Sequence, residues 1–268
     1  MGTPLTGHTD THMHFYDDVY PVATAASLRP PNASVADYVA VQLPLGTQRV
    51  VVVPPTTYGL DNRCQLEAAA LMGDAARVVV VIDATIDDAT LRAHTEQGVR
   101  GARFHMLPGG AVGWDHLDAV AERIASFGWH IQLQLDGHEL AGRKEQLLAL
   151  GCPLVIDHVG RFHGLAEPGS EPFSALLDLV DAGAHVKLSA PYESAVDPTH
   201  QYDTVSRCVD ALIARAPDRM LWASNWPHPG QADPPSNDDL LRLRDRWLPN
   251  PEIREQVLVK NPAALYDF

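Results

Sequence analysis

The chain has 268 residues, of which 46% are hydrophobic and 20% charged, enough to bury a substantial core and far from disordered or fibrous compositions. Its formal charge of −14 repels nucleic acid and anionic membrane surfaces, so neither is an expected partner. Cys64, Cys152 and Cys208 lack paired or CxxC spacing, no basic-then-apolar leader opens the chain, and no apolar run nears the ~20 residues of a membrane span; a cytoplasmic protein without disulfides is expected.

Short apolar or alternating runs bounded by turn residues predict eight strands. HTDTHMHF (8–15) comes first, then RVVVVPP (49–55), a helix-like segment at 62–75 and RVVVVID (77–83). GARFHM (101–106) precedes a helix over 114–127, and HIQLQLD (130–136) precedes one over 137–150. PLVIDHV (153–159), a helix over 171–182, HVKLSA (185–190), a helix over 202–216 and MLWASNW (220–226) complete the series. Such alternation argues for a parallel sheet with crossover helices, and a count of eight predicts a closed (β/α)₈ TIM barrel occupying 1–268 as one domain. No GxGxxG or GxxxxGK[ST] follows the first strand, and the glycines of LPGGAVG (107–113) read as a plain turn.

Period two places alternate residues of a strand on one face. Asp10, His12 and His14 share one, as do Arg103 with His105, His130 with Gln132 and Gln134, and Lys187 with Ser189. The alternate set is apolar, for example Phe104, Ile131, Leu133, Val186 and Leu188. Since the outer face of a barrel packs on helices, the polar face is expected inside, where ionisable groups are costly unless paired or used. Active sites of this fold lie at the C-terminal strand ends. There the chain offers His12 and His14 from strand one, Arg103 from strand four, His158 and Arg161 from strand six, Lys187 from strand seven, and Asn225 and His228 after strand eight. Lys187 reads equally as an ion-pair partner at the barrel bottom or as a substrate contact. Parity points Asp157 outward, toward a structural hydrogen bond. His130 reads as structural, Arg100 as solvent-facing, and His8, His94, His116, His138, His163 and His200 as solvated.

Together, HxH on strand one, PPTTYGLDNR after strand two, GARF on strand four, DHVGR on strand six, VKLS on strand seven and the WPHP ending resemble the amidohydrolase superfamily. Within it they look like the branch containing 2-pyrone-4,6-dicarboxylate lactonase, sugar lactonases and galactarolactone isomerase, from about Asp10 to the C-terminus. The resemblance implies a small anionic lactone as substrate, with His12, His14, His158, Asn225 and His228 as catalytic residues. It implies substrate contacts from Arg103, Arg161, Thr56, Tyr58, His105, Gln134 and Lys187.

Two departures matter. Hydrolytic relatives commonly end strand eight as DWPHP and use that aspartate as general base; here the position is Asn225, an amide that cannot take a proton from water. Strand five carries Gln132 and Gln134, poor ligands for a divalent metal, where metal-binding members place a histidine or lysine. No metal is therefore expected, the alternative being one divalent ion such as zinc at His12, His14 and His158.

Without a carboxylate base, the site suits a lactone whose own hydroxyl attacks the carbonyl. The arginines would clamp its carboxylate, and the three histidines would donate to the oxyanion. The expected function is metal-independent isomerisation of a sugar-dicarboxylate lactone; the alternative is hydrolysis using another base such as His228. A catalytically dead lactone-binding protein and a zinc decarboxylase or amide hydrolase are the readings from other classes. Oligomeric state is not readable from the sequence.

Overall fold

The computed structural model describes residues 7–268 except Leu165, Val196, Pro198 and His200, so the expectation for His200 lies outside the described residues. The period-two runs form eight strands in a parallel sheet that follows chain order: β1 (Thr9–Met13), β2 (Arg49–Val52), β3 (Ala76–Val80), β4 (Val99–His105), β5 (His130–Gln134), β6 (Leu154–Ile156), β7 (His185–Leu188) and β8 (Met220–Trp222). Crossover helices connect them: α1 (Val35–Leu45), α2 (Arg63–Met72), α3 (Asp88–Glu96), α4 (Trp114–Ala125), α5 (Leu140–Leu148), α6 (Glu171–Asp181) and α7 (Asp203–Arg215), with α8 (Asn237–Trp247) after β8. The ring closes just beyond β8, where Asn225 N donates to His12 O and His14 N to Trp226 O, both at 2.9 Å. No described helix is long and apolar enough to cross a membrane.

Alternation sorts the strand residues into two cores. Val50, Val52, Val78, Val80, Ile131, Leu133, Val186 and Leu188 join the helices in one apolar cluster, each buried side chain stabilising the fold by about 1.5–3 kcal/mol. Val51, Val53, Val79, Val155 and Leu221 point inward and form a smaller layer with Tyr266. His130 is buried against Tyr266, ring centroids 5.2 Å apart, the structural place expected for it. A Cβ on residue 101 would lie 2.5 Å from that imidazole, so Gly101 is what lets the ring lie there. Arg100, expected at solvent, is instead largely covered, with its guanidinium 3.0 Å from Asp267.

One expected face does not form. β1 pairs Asp10 with Val50 but Met13 with Val52, so three steps on β1 match two on β2 and the register shifts. His12 and His14 face inward, whereas Asp10 shares the outward side of Val50 and accepts from Tyr38 of α1 at 3.0 Å and from Ser224 N at 2.9 Å. The extra residue, invisible to strict alternation, is the reason.

Candidate active site

Strand parity also fails after β6. Val155 points inward and Ile156 outward, and Asp157 is still extended at φ −76° and ψ 149°; His158, Val159 and Arg161 then take φ values of 55°, 55° and 48°. Asp157 thus enters the barrel by alternation and His158 by the turn that follows it, which corrects the outward placement of Asp157: that placement took His158 as the inward residue of a strand still extended there. Its Oδ2 accepts from Gln132 Nε2 at 3.0 Å, and its Oδ1 lies 3.3 Å from His12 Nδ1 and 3.6 Å from Lys187 Nζ. Lys187 donates to Thr11 O at 2.8 Å and Gln132 Oε1 at 2.7 Å.

This is a buried charge centre beneath the mouth. Burial pushes the Asp157 carboxyl up, but His12 and Lys187 beside it hold it well below the usual carboxylate range. Burial brings the Lys187 ammonium down to about 8, with Asp157 pulling the other way. The expectation of a site without a carboxylate is thus corrected at its floor: Asp157 is there, covered and paired.

Above this floor lies a cavity of about 60 Å³ at the C-terminal strand ends. Its walls include His14, Arg103, His105, Gln134, His158 and Asn225, with Thr56 and Glu193. Seven sequence-predicted residues thus come together. The other five do not line it. His12 is fully buried just below, its ring 4.9 Å from His14 and 4.8 Å from His158. Lys187 lies deeper, so of its two readings the structure supports the ion pair. Tyr58 uses its hydroxyl on the backbone of Asp17, accepting from N at 2.8 Å, which pins the segment after β1. Arg161 reaches Glu193, Nε to Oε2 at 3.0 Å, and His228 meets the Tyr192 hydroxyl through Nδ1 at 3.0 Å. A larger groove of about 470 Å³ beside Arg77 and Arg100 sits at the N-terminal end of the strands, where barrels of this class do not place active sites.

Hydrogen bonds assign roles within the cavity. His14 Nδ1 lies 2.8 Å from Val53 O; a carbonyl only accepts, so the neutral ring carries its proton there and presents a bare Nε2. Burial, aided by the Arg103 charge, brings this imidazole down to about 3. His14 is therefore an acceptor and not the oxyanion donor expected of it. His105 is likewise brought down to about 3 by burial and Arg103, and contacts Gln134 Oε1 at 3.2 Å. Burial lowers His158 to about 4 against the pull of Asp157; its Nδ1 is 2.9 Å from Ser189 Oγ, a hydroxyl able to take either role. Arg103 donates to Pro54 O and Gln134 Oε1, which orients its guanidinium in the wall. Asn225 donates Nδ2 to Tyr192 OH at 2.8 Å, and its Oδ1 is buried without a partner among the described residues.

Sequence reasoning missed Asp157 as an interior group, and missed Tyr192 and Glu193 altogether. The latter two sit on a short turn (Pro191–Glu193) just past β7, where periodicity has ended; proximity to a strand's C-terminal end was the available signal.

The donor atoms of His12, Asp157 and His158 lie within 4.8 Å of one another, a different trio from the expected His12, His14 and His158. The charges already beside this trio oppose a divalent ion. The single carboxylate already faces the Lys187 ammonium at 3.6 Å and Arg103 Nε at 4.0 Å, so a dication there would meet two cations at short range. Asn225 adds no charge.

The amidohydrolase family model matches residues 9–268. D-galactarolactone isomerase of Agrobacterium fabrum is 36% identical over 267 residues, covering 97% of this chain and 91% of that protein. 4-sulfomuconolactone hydrolase of Rhizobium radiobacter is 31% identical over 269 residues, covering 97% and 90%. Among solved structures, an apo crystal structure of an Agrobacterium tumefaciens protein matches with a TM-score of 0.92 at 35% identity, covering 98% of this chain and 96% of that one.

Proposed function

Since the chain belongs to the amidohydrolase family and is an enzyme of it, we propose that it isomerises a carboxylate-bearing sugar lactone by attack of the substrate's own hydroxyl, without a metal. The observation that carries this reading is Asn225: it stands where the resemblance to lactonases implies a general-base aspartate, it lines the cavity, and its buried amide oxygen has no partner among the described residues. That oxygen accepts a hydrogen bond from a substrate hydroxyl and orients it, but cannot activate water. A hydroxyl already attached to the lactone needs less activation, because intramolecular attack gains a large effective molarity.

Arg103 supplies the fixed positive charge in the wall for the substrate carboxylate or the developing oxyanion, and His158 can add an N–H from Nε2. Asp157 and Lys187 hold the floor rigid beneath His12. The named relatives, a galactarolactone isomerase and a sulfomuconolactone hydrolase, are consistent with an anionic lactone as substrate class. Metal independence is supported by the cations that already surround Asp157. Hydrolysis with His228 as base has less support, because its Nδ1 meets the Tyr192 hydroxyl and the residue does not line this cavity.

The test is incubation with galactaro- and glucarolactones in isotope-labelled water, followed by proton NMR and mass spectrometry. Ring exchange without label uptake is expected, unaffected by a chelator. Open-chain diacid carrying the label would overturn the isomerase reading, and loss of activity on chelation would overturn metal independence.

A further inference from the structure

Ring exchange needs a group that takes the proton of the attacking hydroxyl and returns it to the departing ring oxygen, so the argument here rests on the isomerase reading. Asn225 cannot do this. Asp157 is a carboxylate but lies under His12, outside the cavity wall. A proton arriving on His14, His105 or His158 would be buried near the Arg103 guanidinium, which opposes it in each case. Glu193 remains, the one carboxylate among the described residues of the cavity wall.

Its placement suits the task. The chain leaves β7 through Ala190, whose φ of 43° turns it sharply into the Pro191–Glu193 turn. Left-handed backbone costs a residue with a Cβ roughly 1–2 kcal/mol, and strain of this kind tends to gather at functional sites. Arg161 Nε holds Glu193 Oε2 at 3.0 Å, while Oε1 has no hydrogen-bond partner among the described residues. The side chain is 22% exposed, so it meets both cavity and solvent.

We propose that Glu193 is the catalytic proton carrier of this site, with Arg161 as the residue that positions it. The substrate hydroxyl oxygen bonds to the lactone carbonyl carbon while its proton passes to Oε1, and the carbonyl π pair moves onto the oxygen held by Arg103 and His158. On collapse the carbonyl re-forms, the old ring C–O bond breaks, and the released oxygen takes the proton back from Glu193. Nothing is oxidised, no water is consumed and the carboxylate is regenerated.

Glu193→Gln keeps an oxygen for Arg161 but removes the basic one. Its kcat for lactone isomerisation, followed by proton NMR, is expected to fall at least about a hundredfold, with KM little changed. Glu193→Ala is expected to lose activity similarly and regain part of it in added formate, to which wild type does not respond. A Glu193→Gln variant within about tenfold of wild-type kcat overturns the proposal, being less than general acid–base catalysis usually contributes. So does a loss in both variants that formate leaves unchanged, because Glu193 would then serve only to place Arg161. Label uptake by the wild-type product would overturn the isomerase reading alone, since the same variants can then be scored on hydrolysis. A wild type that turns over no lactone sinks both.

Discussion

Asn225 donates its amide hydrogen to the hydroxyl of Tyr192 at 2.8 Å, and this contact leaves Oδ1 as the unpaired end of the amide among the described residues. The phenol in turn lies 3.0 Å from His228 Nδ1. Burial pushes Tyr192 well above the ordinary phenol range, so it stays protonated. With Nδ2 engaged, Oδ1 is the atom left for substrate.

Tyr192→Phe removes the middle of this chain. Two buried polar groups then lose a partner, at a cost of about 1–3 kcal/mol in stability. The amide is freed to turn, and kcat should drop roughly tenfold, corresponding to about 1.4 kcal/mol. Urea denaturation and steady-state kinetics measure the two effects; an unaltered kcat would show that the amide holds its orientation without the phenol.

Asn225→Asp supplies a carboxylate where wild type has only an amide. Appearance of labelled open-chain diacid is expected from a lactone that wild type merely rearranges. If wild type already hydrolyses that lactone and the aspartate variant does no better, the role assigned to the asparagine fails.

Arg103 and Arg161 should differ. Arg103 is buried and tied to Pro54 O and Gln134 Oε1, so Arg103→Ala is expected to weaken binding of a carboxylate-bearing ligand by about 1.5–3 kcal/mol. Arg161 lies outside the wall and is paired with Glu193, so Arg161→Ala should affect binding less and kcat more. Calorimetric titration beside kinetics distinguishes them; equal losses of affinity would place both guanidiniums on the ligand.

Lys187→Met leaves Asp157 buried without its ammonium. Removing one partner of such a pair costs about 3–5 kcal/mol. Pairing it with Asp157→Asn should restore much of that loss, and thermal or urea denaturation of the single and double variants reads it directly. A single variant as stable as wild type would mean that Gln132 and His12 suffice to hold the carboxylate.

Acid should destabilise this protein above the range where carboxylates titrate. His14 and His105 lie at about 3 and His158 at about 4 when folded, against 6.5 ordinarily. Between those values the unfolded chain binds protons that the folded one refuses, so stability is lost as pH falls below 6.5. Each ring contributes at most about 1.4 kcal/mol per pH unit. The urea midpoint should fall through this window, less steeply in His105→Gln. A flat midpoint would mean the rings are protonated in the folded protein.

The barrel was legible in the sequence because its signals are local. Apolar alternation and turn residues announce each strand, and eight of them in alternation with helices leave few topologies. Convergence of His14, Arg103, His105 and Gln134 was legible for the same reason: each sits at or beside the C-terminal end of a strand, and a closed barrel brings those ends together.

Parity, however, belongs to extended backbone and ends with it. An extra residue in β1 turned Asp10 toward Tyr38. Positive φ at His158 brought its ring inward beside that of His12, next to an Asp157 that the strand's own alternation already points at Lys187. Tyr192 and Glu193 lie on a turn with no period to read, and the contact that orients Asn225 spans 33 positions of sequence. The residue types and strand ends were written locally, whereas which atom of each polar side chain faces the cavity was decided by partners that only the closed barrel brings within hydrogen-bond distance.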